Sequence, residues 1–311
     1  MNKRSVWRSP LAVLRIAAAT VLALAALRTP GFVSEPNLLS LITTVSFIGC
    51  VAVGMTLITI SGNIMSFSLG ALVGATAMIF ILAVNVGGVA FGLAAAFAFA
   101  ALVNAAQGFL IGTVRANPII VSIAATALIY GVAEGLTEQG TVYAAAGIRW
   151  GLLQGKVLGL PVEFVALIGA AALAQALLSY TVFGRHLLMT GSSLAAAEVI
   201  GLRTWRTVTG AYLWAGLFVG LAGILLASRY GSASMNDGIG YEYDAMAAVL
   251  VGGTSIRGGE GSALRTLVGA LFIAVIEALL LLWGFRQEWQ YLIAGVIVLA
   301  VVALQTRTRR D

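Results

Sequence analysis

The 311-residue chain is 60% hydrophobic and only 10% charged, and its mean hydropathy is +1.00. A soluble domain carries about 25% charged residues, so a water-soluble fold of this size could not bury so many apolar side chains. The apolar runs are continuous, whereas the strands of a β-barrel alternate over about ten residues. We therefore expect an all-α, polytopic helical membrane protein, built as a single transmembrane domain over residues 1–311.

Polar residues, glycines and prolines divide the apolar sequence into ten candidate spans, most of them near the ~20 residues that cross a bilayer. The eighth is short, and it is predicted to be either a half-helix or a re-entrant piece. The basic N-terminus resembles a signal peptide, but further spans follow it, so the first span is interpreted as a retained helix. The spans lie roughly at 11–27, 38–60, 67–84, 88–113, 118–134, 162–181, 208–227, 243–253, 264–283 and 288–304.

The basic residues predict how the chain is oriented. When the N-terminus lies in the cytoplasm and the ten spans alternate, twelve of the 18 Lys and Arg residues fall on the cytoplasmic side and five on the outer side, with Arg15 inside the first span. This asymmetry follows the positive-inside rule and places both termini in the cytoplasm. It also accounts for the net charge of +6, so nucleic acid is not expected as a partner. The large outer loop at about 135–161 either receives a partner or covers the helix ends.

The longest polar segment of the C-terminal half runs from Phe183 to Gly201. Ser192 or Ser193 is a suitable N-cap for a helix of about two turns over residues 194–200. Gly201 can close that helix in the left-handed conformation. A short, rigid helix outside the membrane, held between two spans, suits contact with another protein.

A second group of polar residues lies at or inside the spans. The segment Ser61–Gly70 interrupts the apolar sequence with neutral hydroxyl and amide groups, which suit a neutral, hydroxyl-rich solute where a broken helix lines a cavity. A polar turn at the cytoplasmic face is the equal alternative. Three polar residues of the fifth span recur every four positions, so they share one helix face. The candidates for a solute path are Asn63, Ser66, Ser68, Asn104, Gln107, Ser122, Thr126, Tyr130 and Glu277.

Ionisable and catalytic residues are few. Glu277 is the clearest charged residue inside a span, and it is expected to line an aqueous path or to pair with an arginine of a neighbouring helix. The single histidine, His186, and the single cysteine, Cys50, form no group with metal-ligand spacing. The glycine-rich run from Gly252 to Ser262 lacks the Lys-Ser/Thr pair of a P-loop. No cofactor or metal is therefore expected on this chain, and any ATP would be hydrolysed by another subunit.

Four motifs resemble the permease subunits of bacterial ATP-driven importers of ribose, xylose, arabinose and related solutes. They are SGNIMSFSLGAL, RANPIIVSIAATALIYGV, FGRHLLMTGSSLAAAEVIGL and GYEYDAMAAVLVGGTSIRGGEGS, and the resemblance runs from about Leu38 to the last span. It implies a place in the bacterial inner membrane, where two permease subunits, identical or paralogous, form the path through the lipid bilayer. It also implies two cytoplasmic ATPase subunits that bind ATP and Mg, and a periplasmic solute-binding protein.

The same resemblance implies that the segment from Phe183 to Gly201 contains a coupling helix, within a cytoplasmic coupling loop at about 182–207. Small residues there would let the helix sit closely in a cleft of the ATPase, and Arg185 would offer a charge for docking. Movement of the helix would tip the spans between outward-facing and inward-facing states. The family positions for this ATPase coupling are Gly184, Arg185, Gly191, Ala196, Ala197 and Gly201.

Several departures from the family pattern leave the solute open. Met65 and Ser66 stand where an Asp is usual, Arg265 replaces a glycine, Glu277 replaces a basic residue, and Leu281 replaces an Asn. A nucleoside, an autoinducer or a branched amino acid is therefore an alternative to a sugar. A proton-coupled secondary transporter that uses Glu277 is an alternative of another class, although such a protein needs no docking helix. A membrane enzyme would need a catalytic group of residues that the sequence does not offer.

Overall fold

The computed structural model describes residues 25–286, apart from residues 27, 138, 139, 149 and 158, and a few isolated residues after 286. Within that part, six helices are long and apolar enough to cross a membrane. This architecture confirms the predicted all-α, polytopic class. The count of ten spans is not confirmed, because the tenth predicted span and most of the first lie outside the described residues. In chain order the helices are α1 (Glu35–Ile60), α2 (Leu69–Val114), α3 (Pro118–Thr137), α4 (Val162–Tyr180), α5 (Val182–Ser192), α6 (Leu194–Val199), α7 (Thr204–Tyr230), α8 (Tyr241–Val251) and α9 (Ala263–Leu282).

Helix α1 forms the centre of the bundle. Residues 45–60 are all buried, and they include Cys50, whose side chain has no exposed surface. A helix that is apolar on every side is stable only when other helices surround it. In this chain α4, α7, α8 and α9 all pack against α1.

Helix α2 contains two predicted spans joined by a reversal. A continuous helix of 46 residues would be about 69 Å long, more than twice the apolar thickness of a bilayer. Gly88 breaks it with a φ of 77° and a ψ of 178°, a backbone conformation that glycine alone adopts readily. The two halves then fold back on each other, and a side chain at Gly92 would overlap Val84 and Phe80.

The second half of α2 packs closely along α7. Glycines set the separation, because a Cβ on Gly216 would overlap the carbonyl oxygen of Ala100, and a Cβ on Gly108 would overlap the side chain of Tyr212. Small residues of this kind allow two helices to approach within backbone contact in a membrane. The glycine pairs four residues apart therefore serve packing within the chain at this seam.

Helix α8 corresponds to the predicted eighth span, and it is a half-helix. Its 11 residues extend about 16 Å, which is half of the distance across a bilayer. A short 3-10 helix, Met235–Gly238, lies against Gly70 and Gly74 of α2, and the left-handed Gly240 then precedes α8. The chain therefore passes between the end of α7 and the start of α9 as an irregular segment followed by a half-helix.

Four two-residue strands lie at one end of the bundle, which we name the opposite face. Strand β1 (Val142–Tyr143) pairs antiparallel with β4 (Ser232–Ala233), and β2 (Lys156–Val157) pairs antiparallel with β3 (Leu160–Pro161). The Trp150 ring lies 6.0 Å from that of Phe80, and Asn85 Nδ2 donates a hydrogen bond to the carbonyl oxygen of Tyr143 at 2.9 Å. The predicted outer loop therefore covers the helix ends, which was one of its two interpretations.

The other end of the bundle carries α5 and α6, and we name it the α6 face. It brings together four connections: residues 61–68, 115–117, 181–203 and 252–262. The backbone N–H of Gly259 donates a hydrogen bond to the carbonyl oxygen of Ile60 at 3.0 Å, which ties the end of α1 to the glycine-rich run. Distant parts of the sequence thus meet at this face.

Candidate functional site

The short helix predicted after Ser193 is present as α6. Ser193 caps it, since the Ala196 backbone N–H donates a hydrogen bond to Ser193 Oγ at 3.3 Å, and Gly201 has a φ of 82° in the left-handed region. The segment before it is also helical, which the sequence reasoning missed. Helix α5 begins after Thr181, whose hydroxyl accepts a hydrogen bond from the Gly184 N–H at 3.1 Å.

The six predicted coupling positions divide into two groups. Arg185, Ala196 and Gly201 are exposed on the α6 face. Gly184, Gly191 and Ala197 are instead buried against this chain. The small size of the buried three serves packing within this chain, whereas the coupling role of the six positions stays a prediction.

Gly191 shows most clearly what the small residues do. A Cβ on Gly191 would overlap the carbonyl oxygen of Ile60 and the backbone nitrogen of Gly259. Gly62 and Gly258 also lie in this contact, in which backbone packs directly on backbone. The glycine-rich run from Gly252 to Ser262, which resembles a phosphate loop in sequence, therefore anchors the end of α5 to the end of α1.

Helix α6 presents an apolar surface away from the bundle. The large apolar side chains exposed on α6 and its C-cap, which we name the α6 patch, are Leu194, Val199 and Ile200; Val199 is 87% exposed and Ile200 is 65% exposed. Large apolar side chains exposed close together on a short helix between two spans suit contact with another protein. Exposed Arg185 and Arg203 lie in the flanking sequence. The sequence reasoning did not single out the patch, although the apolar letters of LAAAEVI were the available signal.

One ion pair connects α6 to the end of α2. Arg115 Nη2 donates hydrogen bonds to both carboxylate oxygens of Glu198, at 2.7 and 2.8 Å. The Thr204 hydroxyl donates a further hydrogen bond to Glu198 Oε1 at 3.1 Å. The Arg115 side chain is 65% exposed and that of Glu198 is 36% exposed. Neither residue was among the predicted site residues, because 83 positions separate them in the sequence.

Four of the predicted solute-path residues form a buried chain of hydrogen bonds. The hydroxyl groups of Ser66 and Ser68 share a hydrogen bond of 3.0 Å, and Ser68 donates to Gln107 Oε1 at 2.9 Å. Gln107 Nε2 donates to Asn104 Oδ1 at 3.4 Å, and Asn104 Nδ2 donates to the carbonyl oxygen of Tyr212 at 2.7 Å. These groups satisfy one another and hold the start of α2, its second half and α7 together.

The polar face of α3 adjoins this row of hydrogen-bonded side chains. Thr126 Oγ1 lies 3.3 Å from the carbonyl oxygen of Phe67, between Ser66 and Ser68 in sequence, and also 2.9 Å from that of Ser122. Asn117 caps α3, because its Oδ1 accepts a hydrogen bond from the Ile119 N–H at 2.9 Å. Tyr130 is half-buried one turn further along.

The remaining two predicted path residues lie elsewhere. Asn63 donates a hydrogen bond to Ser61 Oγ at 2.7 Å, at the α6 face, where it lines a cavity of about 450 Å³ that has both polar and apolar walls. Glu277 lies against Asp244 of α8, and the two carboxyl groups interact directly. The expected arginine partner of Glu277 is thus replaced by a second carboxyl group. The structure does not bring all nine predicted path residues into one site.

An apolar cavity of about 550 Å³ separates the two halves of α2 from α3. Gln107 is the one member of the hydrogen-bonded chain that reaches its lining. The cavity has few polar atoms, so it cannot satisfy the hydroxyl groups of a sugar without rearrangement. Within the part of the chain that the structure describes, no three His, Cys, Asp or Glu side chains are grouped as a metal site would require.

Comparison with known proteins gave a consistent set of matches. Residues 37–302 match a family described as "Branched-chain amino acid transport system / permease component". The chain is 30% identical over 305 residues to the ribose import permease protein of Escherichia coli (strain K12), covering 94% of this chain and 92% of that protein. It is 31% identical over 283 residues to the corresponding protein of Bacillus subtilis (strain 168), covering 89% and 87%.

A second kind of relative also matches. The chain is 34% identical over 269 residues to the autoinducer 2 import system permease protein of Yersinia pestis (strain Pestoides F), covering 83% of this chain and 74% of that protein. No solved structure matches the chain.

Proposed function

We propose that this chain, which belongs to the family of transport-system permease components, is the permease subunit of an importer of a neutral monosaccharide, ribose or a close relative. The chain is a multi-pass inner-membrane protein. Two copies, or this chain and a paralogue, would form the path. A periplasmic binding protein would deliver the solute at the opposite face. Two ATPase subunits would dock at the α6 face, which would place that face and both termini in the cytoplasm.

The α6 patch is the observation that carries the proposed docking of ATPase subunits, and with it the proposal of an ATP-driven importer. Leu194, Val199 and Ile200 are exposed on a short helix and its C-cap, and the buried side chain of Ala197 packs the same helix against the bundle. A rigid apolar projection outside the spans suits insertion into a cleft of another protein. ATP would be hydrolysed on those partner subunits with their own Mg, since the glycine-rich run of this chain packs against α1 and α5 and has no free phosphate-binding loop.

The neutral character of the buried chain supports an uncharged solute. Serine, asparagine and glutamine groups can exchange their mutual hydrogen bonds for bonds to sugar hydroxyl groups when the helices move apart. The same groups suit the second candidate, an autoinducer importer, which the 34% identity to the Yersinia pestis protein favours. A branched amino acid, named in the family description, is the third solute class.

The experiment that separates these solutes uses the partner binding protein. We would co-purify it with the permease and record its melting temperature against pentoses, hexoses, polyols, autoinducer 2, nucleosides and branched amino acids. A ligand that binds only the native state raises the melting temperature by mass action. A pentose is expected to give the largest shift. A shift with autoinducer 2 or an amino acid alone would contradict the sugar.

A second experiment tests the energy source. The permease, its ATPase and the binding protein would be reconstituted in vesicles, and uptake would be measured with ATP inside or with a pH gradient alone. Uptake is expected only with ATP. Uptake with a pH gradient and no ATP would favour the proton-coupled alternative that uses Glu277.

A further inference from the structure

Besides its direct continuation into α7 through residues 200–203, helix α6 is connected to the membrane spans by two different kinds of contact. On one side, α5 joins it to α1 through the backbone packing of Gly191 against Ile60 and Gly259. On the other side, Glu198 joins it to α2 through Arg115. Among the described residues this is the only ion pair between α6 and a long helix.

Arg115 occupies a position from which force on α6 would reach two spans. It ends α2 with a φ of 55°, the one non-glycine residue of the described chain with positive φ. Asn117 then caps α3, which begins at Pro118. Because only Ala116 separates Arg115 from that cap, a displacement of the Arg115 side chain acts on the turn between α2 and α3.

The space around the ion pair allows such a displacement. The cavity of about 450 Å³ at the α6 face lies beside it, lined by Arg115 and Pro118 on one side and by Ser193, Leu194 and Thr204 on the other. Helix α6 is therefore not packed tightly against the α2–α3 turn. The contact across the cavity edge is made by the Glu198 carboxylate, which holds Arg115 and Thr204 at the same time.

We propose that the Glu198–Arg115 ion pair passes the movement of α6 to the turn between α2 and α3, and so to the polar face of α3. This inference rests on the proposed function, in which an ATPase moves α6. Both residues are positioning residues: they touch neither the nucleotide nor the solute. Exposed ion pairs of this kind contribute little to stability, so their removal leaves the fold intact and isolates the transmission of movement.

The test measures how many solute molecules enter per ATP hydrolysed. We would compare Glu198→Gln, Arg115→Asn and the exchanged pair R115E/E198R in vesicles with the ATPase and the binding protein. Asn is chosen because it tolerates positive φ. Each single variant is expected to lower uptake per ATP about fivefold or more, a typical size for coupling between sites. The exchanged pair is expected to recover most of that loss. Arg206→Gln, at an exposed arginine near the start of α7 and outside the segment from Phe183 to Gly201, is the matched control.

Three results would overturn the inference. Single variants with the uptake per ATP of the unaltered protein would show that the pair transmits nothing. An exchanged pair as impaired as the single variants would show that the ionic contact is not what matters. Loss of ATPase co-purification in the single variants would make these residues part of the docking surface instead. If the unaltered protein itself showed no ATP-driven uptake, the proposed function would fail first, before any variant is compared.

Discussion

The backbone of Gly191 lies directly against the carbonyl oxygen of Ile60, with no room for a Cβ between them. This contact joins the end of α5 to the end of α1, the most deeply buried helix of the bundle. It therefore fixes the base from which α6 projects. The small size of Gly191 is thus required for packing within the permease itself, whether or not a partner is bound.

Gly191→Ala is expected to destabilise the protein. The added methyl group meets backbone atoms of Ile60 and Gly259, which cannot rotate away as a side chain can, so the cost should reach the upper part of the usual overpacking range of about 1–3 kcal/mol. Thermal unfolding in detergent would show it. Gly131→Ala is the control, since nothing lies within 4 Å of that position on α3 and alanine favours helix. Equal melting temperatures for the two variants would contradict the contact.

Ala196→Trp and Ala197→Trp should fail in different ways. Ala196 is exposed, so its tryptophan variant is expected to fold normally and to lose capture of the ATPase by blocking the docking surface. Ala197 is 2% exposed, so its variant is expected to lose monodispersity before docking can be measured. Size-exclusion profiles and co-purification would be recorded for both. Leu152→Trp, at an 80% exposed site on the opposite face, is the control and should keep the ATPase.

Gln107→Leu is expected to break the buried polar chain at its centre. Ser68 and Asn104 each lose a partner, and an unsatisfied buried group costs about 1–3 kcal/mol. The variant should therefore melt earlier and also import less solute at a given concentration. Asn63→Ala, whose side chain bonds only locally to Ser61, should change neither quantity. A normal melting temperature in Gln107→Leu would show that these buried hydrogen bonds do not stabilise the packing of α2 and α7.

Glu277→Gln is expected to leave assembly and ATP-driven uptake close to those of the unaltered protein. An amide in place of the carboxyl can still hydrogen-bond to Asp244, whereas Glu277→Leu would leave Asp244 without that partner and lower the melting temperature. Uptake and thermal unfolding of the two variants would be compared. Loss of uptake in Glu277→Gln alone, with a normal melting temperature, would return Glu277 to the solute or proton path.

The sequence predicted some features because their determinants are local. Continuous apolar runs predicted the long helices of the described residues, and Ser193 and Gly201 predicted α6, because capping involves residues within one turn. Helix periodicity cannot tell which side of a short helix meets its own bundle, so the burial of Gly184, Gly191 and Ala197 was missed. Pairs of residues distant in sequence depend on how the spans assemble. Glu198 with Arg115 and Glu277 with Asp244 could therefore not be predicted from spacing.

The burial of Cys50 has a practical consequence. It is the only cysteine of the chain, and it has no exposed surface at the centre of α1. The native protein should therefore not react with a membrane-impermeant maleimide. A cysteine introduced at Ala196 and another at Leu152 would report separately on the two ends of the bundle in intact cells and inverted vesicles. Labelling would then reveal which compartment each end meets, without the removal of any native residue.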